Sequence, residues 1–497
     1  MNFLVVSPVL LPLLTAALTA ILAPRKSLQR SVSLLGAYAS LICSAYLLYL
    51  VTHGPTLQAT FGMWSQPYGI GFSIDRLSAL MLLIASLIGL VSLIFLAGDA
   101  TAGSSGRFAM QIPLVHGLLA GVGGTFATAD IFNLYVWFEV MLMSALGLLS
   151  GGAKLRHMEG ALKYMSLNML ATMMLLTAVS LVYGVTGHLS FEGVRAAWPH
   201  VQPHVAAPIL ALLCLALLAK AGAFPMYAWL PPAYPVLPTS ILALFAGLLT
   251  KAGTYAILRL LSDVFVTALP AWLNDALGWI ACLTMVAGVL GAAYHWDMRH
   301  ILSLHIISQI GYILLAIALG TRQGFAAALV FTVHNILAKA NLFLIAAMIA
   351  RYTGSFDLRR IGGLYAARPM LGVLFGISAL ALVGIPPFSG FWAKLLVLRA
   401  AYAQSQMVWM GLALLVSVLT MYSMMKIWME AFWKAHPDAE SGLPLVAVPT
   451  REMLPAWIAT LMLTAAILFI SLNPQSLIAF ADAASQTLGL PARGLPQ

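Results

Sequence analysis

Charge is what this sequence has least of. Only 8% of its 497 residues are Asp, Glu, Lys or Arg, whereas a soluble domain carries about 25%. So few charged side chains cannot cover a globular surface in water, which excludes a soluble enzyme, a nucleic-acid-binding domain and a disordered scaffold. The meaning of the +10 net charge depends on where the basic residues lie. The protein is predicted to lie in a membrane.

Cysteine is scarce as well. Cys43, Cys214 and Cys282 each lie inside an apolar run, with no C-x-x-C pair, which excludes a disulfide framework, a thiolate-held iron–sulfur cluster and a structural zinc site. The sequence has no G-x-x-x-x-G-K-S/T loop, so ATP is not the obvious energy source. We therefore expect no cofactor and no metal ion. The alternating runs of a membrane β-barrel are also absent, and only helices fit.

Long apolar runs are what the sequence has instead. Hydrophobic residues make up 62% of the chain, and the mean hydropathy is +0.96. A helix needs about 20 residues to cross a bilayer, and fourteen such runs predict an all-α integral membrane protein. No basic residue precedes the first run, so we expect a retained helix and not a cleaved signal peptide. The approximate spans are 3–23, 31–52, 73–97, 108–128, 130–150, 160–185, 206–231, 239–262, 270–294, 300–320, 324–350, 371–400, 407–432 and 454–472.

Basic residues concentrate in alternate connections between these spans. The positive-inside rule then makes the odd-numbered connections cytoplasmic and puts both termini on the outer side. The basic residues are thus topological anchors, and nucleic acid is not needed to explain the net charge. The opposite connections hold only Arg195 and Arg322, with Arg399 near a helix end and Arg493 in the tail. The odd-numbered connections hold Arg25, Lys26, Arg30, Arg107, Lys154, Arg156, Lys163, Arg299, Arg351, Arg359, Arg360, Arg368, Lys434 and Arg451.

Proline and glycine interrupt the helical pattern in segments 216–240 and 378–402. Such breaks persist at membrane depth only where the freed backbone groups are buried in protein or wet, and a matched pair of them is typical of an internally repeated transporter. We therefore expect discontinuous helices 7 and 12 within two inverted five-helix repeats, helices 4–8 and 9–13. The interrupting residues are Pro225, Pro231, Pro232, Pro235 and Pro238 in the first segment and Gly384, Pro386, Pro387 and Gly390 in the second.

The repeats predict four parts of the chain. Residues 1–107 form an N-terminal three-helix segment, and residues 108–262 form the first five-helix repeat. Residues 263–432 form the second repeat, and residues 433–497 hold a cytoplasmic connection, the last helix and the C-terminal tail.

Ionisable residues inside the predicted helices are the strongest functional signal. Each costs roughly 2.5–3.5 kcal/mol at the bilayer centre, so these residues must face the interior, paired or hydrated, and a polar line through the bundle is the simplest arrangement. A buried lysine gives up its proton more easily than one in water, and a neighbouring charge moves the balance. The set is therefore suited to passing protons sideways. The predicted site residues are Glu139, Lys220, Lys251, His334, Lys339 and Lys394.

Structural alternatives stay open for several of these residues. Glu139 can simply pair with a lysine to hold two helices together, and Lys220 and Lys394 can neutralise carbonyls freed at the breaks. His334 and Lys339 are five residues apart, which is about 140° on an ideal helix, and they need not share a face. His334 alone can be a hydrogen-bonded core histidine.

Two further pairs lie near the predicted membrane surfaces. Asp75 and Arg76, at the start of the third span, are expected to form an interfacial ion pair. His200 and His204 lie in an outer connection with no third ligand nearby, so a metal site is not expected there.

Four motifs resemble a known family of membrane proteins. They are 139-EVMLMSA-145, 220-KAGAFPMYAWLPPAY-234, 299-RHILSLHIISQIGY-312 and 379-ALALVGIPPFSGFWAKL-395. From about residue 70 to residue 430 the sequence is similar to the proton-pumping membrane subunits of respiratory complex I and to their relatives in Mrp-type multisubunit cation/proton antiporters. The stretches 130-DIFNLYVWFEVMLMS-144 and 244-LFAGLLTKAGTYAILR-259, with the spacing of His334 to Lys339, resemble the D-type branch of the Mrp family.

The resemblance implies a location, partners and roles. It implies a bacterial inner membrane and a hetero-oligomeric complex with a larger A-type subunit and small subunits. It also implies a Glu139–Lys220 pair on helices five and seven, a connecting Lys251 on helix eight, a His334/Lys339 relay on helix eleven and a terminal Lys394 on helix twelve.

The sequence thus predicts a proton-translocating subunit of a monovalent cation (Na⁺)/H⁺ antiporter, which is not itself an enzyme. Na⁺ is expected to travel through a partner subunit, since no sodium cage is visible. Two alternatives stay open. One is a proton-pumping subunit of a complex I-like or membrane hydrogenase redox complex, and the other is a stand-alone small-solute porter.

Overall fold

The computed structural model describes residues 2–61, 69–98, 106–151, 155–266, 269–435, 450–486 and 488. Thirteen helices within those ranges are long and apolar enough to cross a membrane. We number the helices that correspond to the predicted spans α1 to α14, and the one that follows α15. Their limits are α1 Asn2–Ile21, α2 Lys26–His53, α3 Arg76–Ala97, α4 Gly106–Ala127, α5 Ile131–Ser150, α6 Leu155–Thr186, α7 Pro203–Ala221, α8 Thr239–Arg259, α9 Ala271–Tyr294, α10 Met298–Ala318, α11 Arg322–Thr353, α12a Pro369–Val383, α12b Ser389–Ala403, α13 Met407–Trp428, α14 Thr450–Leu472 and α15 Pro474–Gln486.

Shorter elements join these helices. Two strands, β1 Leu57–Phe61 and β2 Ile70–Ile74, pair antiparallel. This hairpin was not predicted, and it occupies the first residues of the predicted third span. The remaining short helices and turns are Phe191–Ala197, Trp198–His200, Met226–Trp229, Leu230–Ala233, Tyr234–Val236, Leu260–Val264, Leu358–Arg360, Leu364–Ala367 and Met429–Trp433.

The predicted fold of membrane-spanning helices is confirmed, and so are the interruptions in helices 7 and 12. A glycine follows each broken helix, Gly222 with φ 74° and Gly384 with φ 87°. This left-handed conformation favours glycine because it has no Cβ. Pro225 and Pro387 follow three residues later and cannot continue the helical ladder. Because the twelfth span is two helices, the count of fourteen crossings stays a prediction. The inverted repeats and the four-part division also stay predictions.

Even-numbered connections contact even-numbered ones, and odd-numbered connections contact odd-numbered ones, as helices that cross the membrane alternately require. Asp130, before α5, bridges Ser190, after α6, so the fourth and sixth connections share a face. Asp297, after α9, bridges Asp357, after α11, so the ninth and eleventh connections share a face. Which face is cytoplasmic stays a prediction of the positive-inside rule.

The centre of the molecule consists of α8, α10 and α11. Their apolar windows are 100% buried, whereas those of the peripheral α2 and α6 are 22% and 33% buried. A helix that is apolar on all sides belongs in the interior. Glycine permits close approach of neighbouring helices here, since a Cβ added at Gly253 of α8 would lie 2.7 Å from the backbone nitrogen of Ala221 in α7.

Asp75 does not pair with Arg76, so the prediction of that interfacial pair was wrong. The carboxylate accepts two hydrogen bonds from Arg259, the last residue of α8, at 2.6 and 2.8 Å. Arg76 donates to the carbonyl oxygen of Thr52 instead. Asp75 also caps α3 by accepting from the Ser78 backbone, and this fixed cap directs its carboxylate toward α8. Burial raises the pKa of Asp75, but the Arg259 charge and the hydrogen bonds outweigh that effect and leave it below its usual range.

The alternation of faces generates an accessibility prediction. We expect thiols introduced by Glu192→Cys, in the sixth connection, and by Arg359→Cys, in the eleventh, to react with an impermeant maleimide from opposite sides of sealed vesicles. Both positions are exposed, and the positive-inside rule puts position 359 on the cytoplasmic side. The unsubstituted chain is the control, because Cys214 and Cys282 are buried. Labelling of both positions from one side would contradict the alternation.

Candidate functional site

A hydrogen-bonded chain links three helices of the first predicted repeat. The amino group of Lys220 on α7 donates to the hydroxyl of Thr172 on α6 at 2.5 Å. That hydroxyl donates to the carboxylate of Glu139 on α5 at 2.6 Å, while the direct distance from Lys220 Nζ to Glu139 Oε1 is 3.9 Å. Thr172 therefore mediates the expected Glu139–Lys220 pair.

Local structure explains how the lysine is held in this chain. Lys220 is the penultimate residue of α7, and the partial negative charge of a helix C-terminus favours a cation. The ring of Phe138, next to Glu139 on α5, lies 5.6 Å from the Lys220 amino group. Lys220 is 6% exposed, so the amine is held within the protein, at the point where the helix ends.

A cleft opens beside Lys220. Its lining includes Tyr164 and Asn168 of α6 and Trp229 of the turn that follows the α7 break. The amide of Asn168 is held by a hydrogen bond to the Tyr164 carbonyl at 2.9 Å. Lys220 itself lines the cleft, which has room for a water molecule beside the amine.

The other lysines bond to backbone carbonyls. Lys251 of α8 and Lys339 of α11 are both 0% exposed; the first donates to Ala246 O at 2.7 Å and the second to Leu302 O at 3.4 Å. Lys394 of α12b, 5% exposed, donates at 2.7 Å to the carbonyl at the end of α12a. No carboxylate in the described part of the chain lies within ion-pair distance of these three amines.

His334 faces a different helix from Lys339, although both lie on α11. Its Nδ1 lies 2.8 Å from the hydroxyl of Ser389, the first residue of α12b. The backbone of Ser389 donates in turn to Ser471 of α14. Helix α14, which lies outside both predicted repeats, thus braces the histidine and the second half of the broken helix.

The predicted residues form two groups and not one evenly connected line. The charge of Lys220 interacts with that of Glu139. The charge of Lys339 interacts with those of Lys251 and Lys394, and these three amines form the second group with His334. The two groups meet where α7 packs against α8, at the close approach of Gly253 to Ala221 described above.

Sequence reasoning missed two residues that the structure brings to this site. Thr172 gives no signal in the sequence, because a threonine in a helix usually bonds the carbonyl one turn earlier. His305 of α10 is 0% exposed and interacts electrostatically with Lys339 and Lys394. An ionisable residue within an apolar run is the criterion that identified the lysines, and it should have identified His305.

The sequence was compared with protein families and with known proteins. Residues 128–420 match the family described as NADH:quinone oxidoreductase/Mrp antiporter, TM. The chain is 37% identical over 441 residues to the D-type subunit of the Na(+)/H(+) antiporter of Alkalihalophilus pseudofirmus, covering 88% of this chain and 89% of that protein.

Two solved structures are similar over nearly the whole chain. A chain of the Mrp complex from Dietzia sp. superposes with a TM-score of 0.89 at 32% identity, covering 98% of each chain. A chain of respiratory complex I from Thermus thermophilus superposes with a TM-score of 0.82 at 25% identity, covering 98% of this chain and 100% of that one.

The amine of Lys251, which pairs with no carboxylate in the described chain, leads to a prediction about stability. Lys251→Met puts an apolar side chain of similar length into the same space and removes the cost of desolvating the amine. We therefore expect the purified protein to become more stable, by roughly 1–4 kcal/mol, as measured by thermal unfolding. Lys163→Met is the control, since that amine is half-exposed and pairs with Glu159 on the surface. A loss of stability with Lys251→Met beyond that of the control would mean that the amine holds the fold together.

Proposed function

The chain belongs to the NADH:quinone oxidoreductase/Mrp antiporter membrane family, and from that premise we propose that it is the proton-translocating, D-type membrane subunit of a multisubunit Na⁺/H⁺ antiporter. The observation that carries the proposal is the set of buried amines in the centre of an apolar bundle. The chain itself performs no redox or hydrolytic step. Its location is the bacterial inner membrane, with both termini on the outer side.

Protons reach the first group of residues through the cleft beside Lys220. Glu139, when ionised, stabilises the protonated amine of Lys220. The hydroxyl of Thr172 links the two groups by accepting from the amine and donating to the carboxylate. When Glu139 is neutralised, Lys220 is left as a desolvated cation, which favours release of its proton. The state of Glu139 therefore controls whether Lys220 holds or releases a proton.

The second group passes the proton onward by repulsion between like charges. Lys251, Lys339 and Lys394 lack an acidic neighbour, so a proton on one amine disfavours a proton on the next. A neutral amine can still donate to the carbonyl that holds it, so each lysine keeps its place in both states. Half-channels at the breaks of α7 and α12 connect this row to water on the two sides, and His334 adjoins the row at the second break.

Glu139 explains why the chain works with partners. Its side chain is 26% exposed, and exposed Met143 lies one turn further along the same face of α5. A carboxylate facing acyl chains in the bilayer interior costs several kcal/mol. Another membrane subunit of the complex covers this face, and the partners comprise a larger A-type subunit and small subunits.

Na⁺ crosses through a partner subunit. Among the described residues of the proposed proton route, Glu139 is the only acidic side chain well inside a membrane helix. Its carboxylate already accepts a hydrogen bond from Thr172. Carbonyl and carboxylate oxygens are the ligands that hard cations need, and one engaged carboxylate does not supply a cage.

A proton-pumping subunit of a redox complex is the second candidate. The similarity to a complex I chain favours it, and the proton route through this chain is the same in both cases. The antiporter is preferred because sequence identity is higher on that side: 37% to the antiporter subunit and 32% to the Mrp chain, against 25% to the complex I chain.

Replacement of Glu139 tests the function directly. Glu139→Gln keeps the shape of the side chain and an oxygen that accepts from Thr172, but it cannot ionise. We expect Na⁺-dependent proton exchange in vesicles to fall below a tenth of the unaltered value while the complex still assembles on a native gel. Glu159→Gln is the matched control, since Glu159 is exposed on α6. Undiminished exchange by an assembled Glu139→Gln complex would contradict the proposed role.

A further inference from the structure

One helix at the centre carries polar side chains that bond to nothing in the described protein. On α10, side-chain nitrogen or oxygen atoms of Ser303, His305, Ser308 and Gln309 lack a hydrogen-bond partner, and all four residues are 0% exposed. Both amide atoms of Asn335, on neighbouring α11, are in the same state. A buried polar group without a partner costs about 1–3 kcal/mol. Buried polar groups of this kind are usually satisfied by ordered water or mark a functional site.

Two lysines contact α10 on either side of His305 along the helix. The amine of Lys339 is 3.4 Å from the carbonyl oxygen of Leu302, and the amine of Lys394 is 5.1 Å from the ring centre of Tyr312. On an α-helix, residues 302, 305 and 312 fall within about 80° of one another and span about 15 Å along the axis. His305 therefore lies on the face of α10 that runs from one lysine to the other.

Gln309 extends the same face. It follows His305 by four residues, so the two side chains are neighbours on one side of the helix. Both amide atoms of Gln309 and both ring nitrogens of His305 lack a protein partner in the described chain. His305 also interacts electrostatically with Lys339 and Lys394, in agreement with its position on α10 between the contacts of these two lysines.

His334 is less suited to this step than His305. One nitrogen of His334 is engaged by Ser389 at 2.8 Å. The other lies against the backbone of α12b, because a Cβ added at Gly390 would be 2.8 Å from it. The Ser389 hydroxyl therefore engages one ring nitrogen of His334, whereas both ring nitrogens of His305 lack a partner in the described chain.

We propose that His305 carries the proton between Lys339 and Lys394, with Gln309 and Asn335 binding the waters that bridge the gaps. This inference rests on the proposed function. The neutral imidazole accepts a proton at one ring nitrogen from the Lys339 ammonium and releases the proton of its other nitrogen to the Lys394 amine. The ring ends neutral in its other tautomer, and the net change is one proton moved from one lysine to the next.

A three-variant comparison in the assembled complex tests the assignment. We expect His305→Gln to lower Na⁺-dependent proton exchange at least tenfold, as Lys339→Gln does, because glutamine hydrogen-bonds but does not carry a proton. His116→Gln is the matched control: His116 of α4 is a buried histidine, 1% exposed, held by Ser33. We expect its exchange to stay within twofold of the unaltered complex.

The outcomes separate the two claims. If His305→Gln exchanges within twofold of the unaltered complex while Lys339→Gln is inactive, the role of His305 is wrong and the proposed function stands. If both variants are active, the proposed function fails as well.

A second measurement needs no variant and decides the case if His305→Gln does not assemble. A density map of the unaltered complex that resolves waters is expected to show water at hydrogen-bond distance from both ring nitrogens of His305, continuing to the Lys339 and Lys394 amines. Dry apolar contacts around the imidazole would overturn the proposal.

Discussion

The structure depends on one constraint, which is that amino groups at the centre of a bilayer must be shielded from lipid without being neutralised by an acid. Lys251 and Lys339 meet it on helices that are buried on every side. Their hydrogen bonds go to backbone carbonyls, and a carbonyl accepts from a charged or a neutral amine. The amines are thus fixed in position while their proton content stays free to change, which a tight carboxylate pair would prevent.

The broken helices supply that shielding in two different ways. Lys220 precedes the break in α7 and faces a carboxylate through Thr172, whereas Lys394 follows the break in α12 and returns to the carbonyl at the end of α12a. The first break therefore gives an amine controlled by an acid beside a cleft, and the second gives an amine whose hydrogen bond goes to the backbone. The two predicted repeats share a backbone device, a left-handed glycine followed by proline, but they differ in chemistry.

Sequence reasoning predicted what depends on composition and spacing, and it failed where side chains from distant segments meet. Apolar runs give the spans and proline gives the breaks, because both act locally. The contact of Asp75 with Arg259 joins positions far apart in the chain, so the adjacent Arg76 was the wrong choice. Thr172 acquires its role only from the packing of α6 between Glu139 and Lys220. His305 was within reach of the sequence, since it is an ionisable residue in an apolar run.

The central claim is that the buried amines act by gaining and losing protons and not by their charge alone. Lys220→Arg separates the two, because a guanidinium stays protonated and can still donate a hydrogen bond to Thr172. The measurement is proton flux through the assembled complex in sealed vesicles. The account predicts an intact complex whose flux falls at least tenfold. Flux equal to that of the unaltered complex would contradict it, since a fixed charge would then suffice.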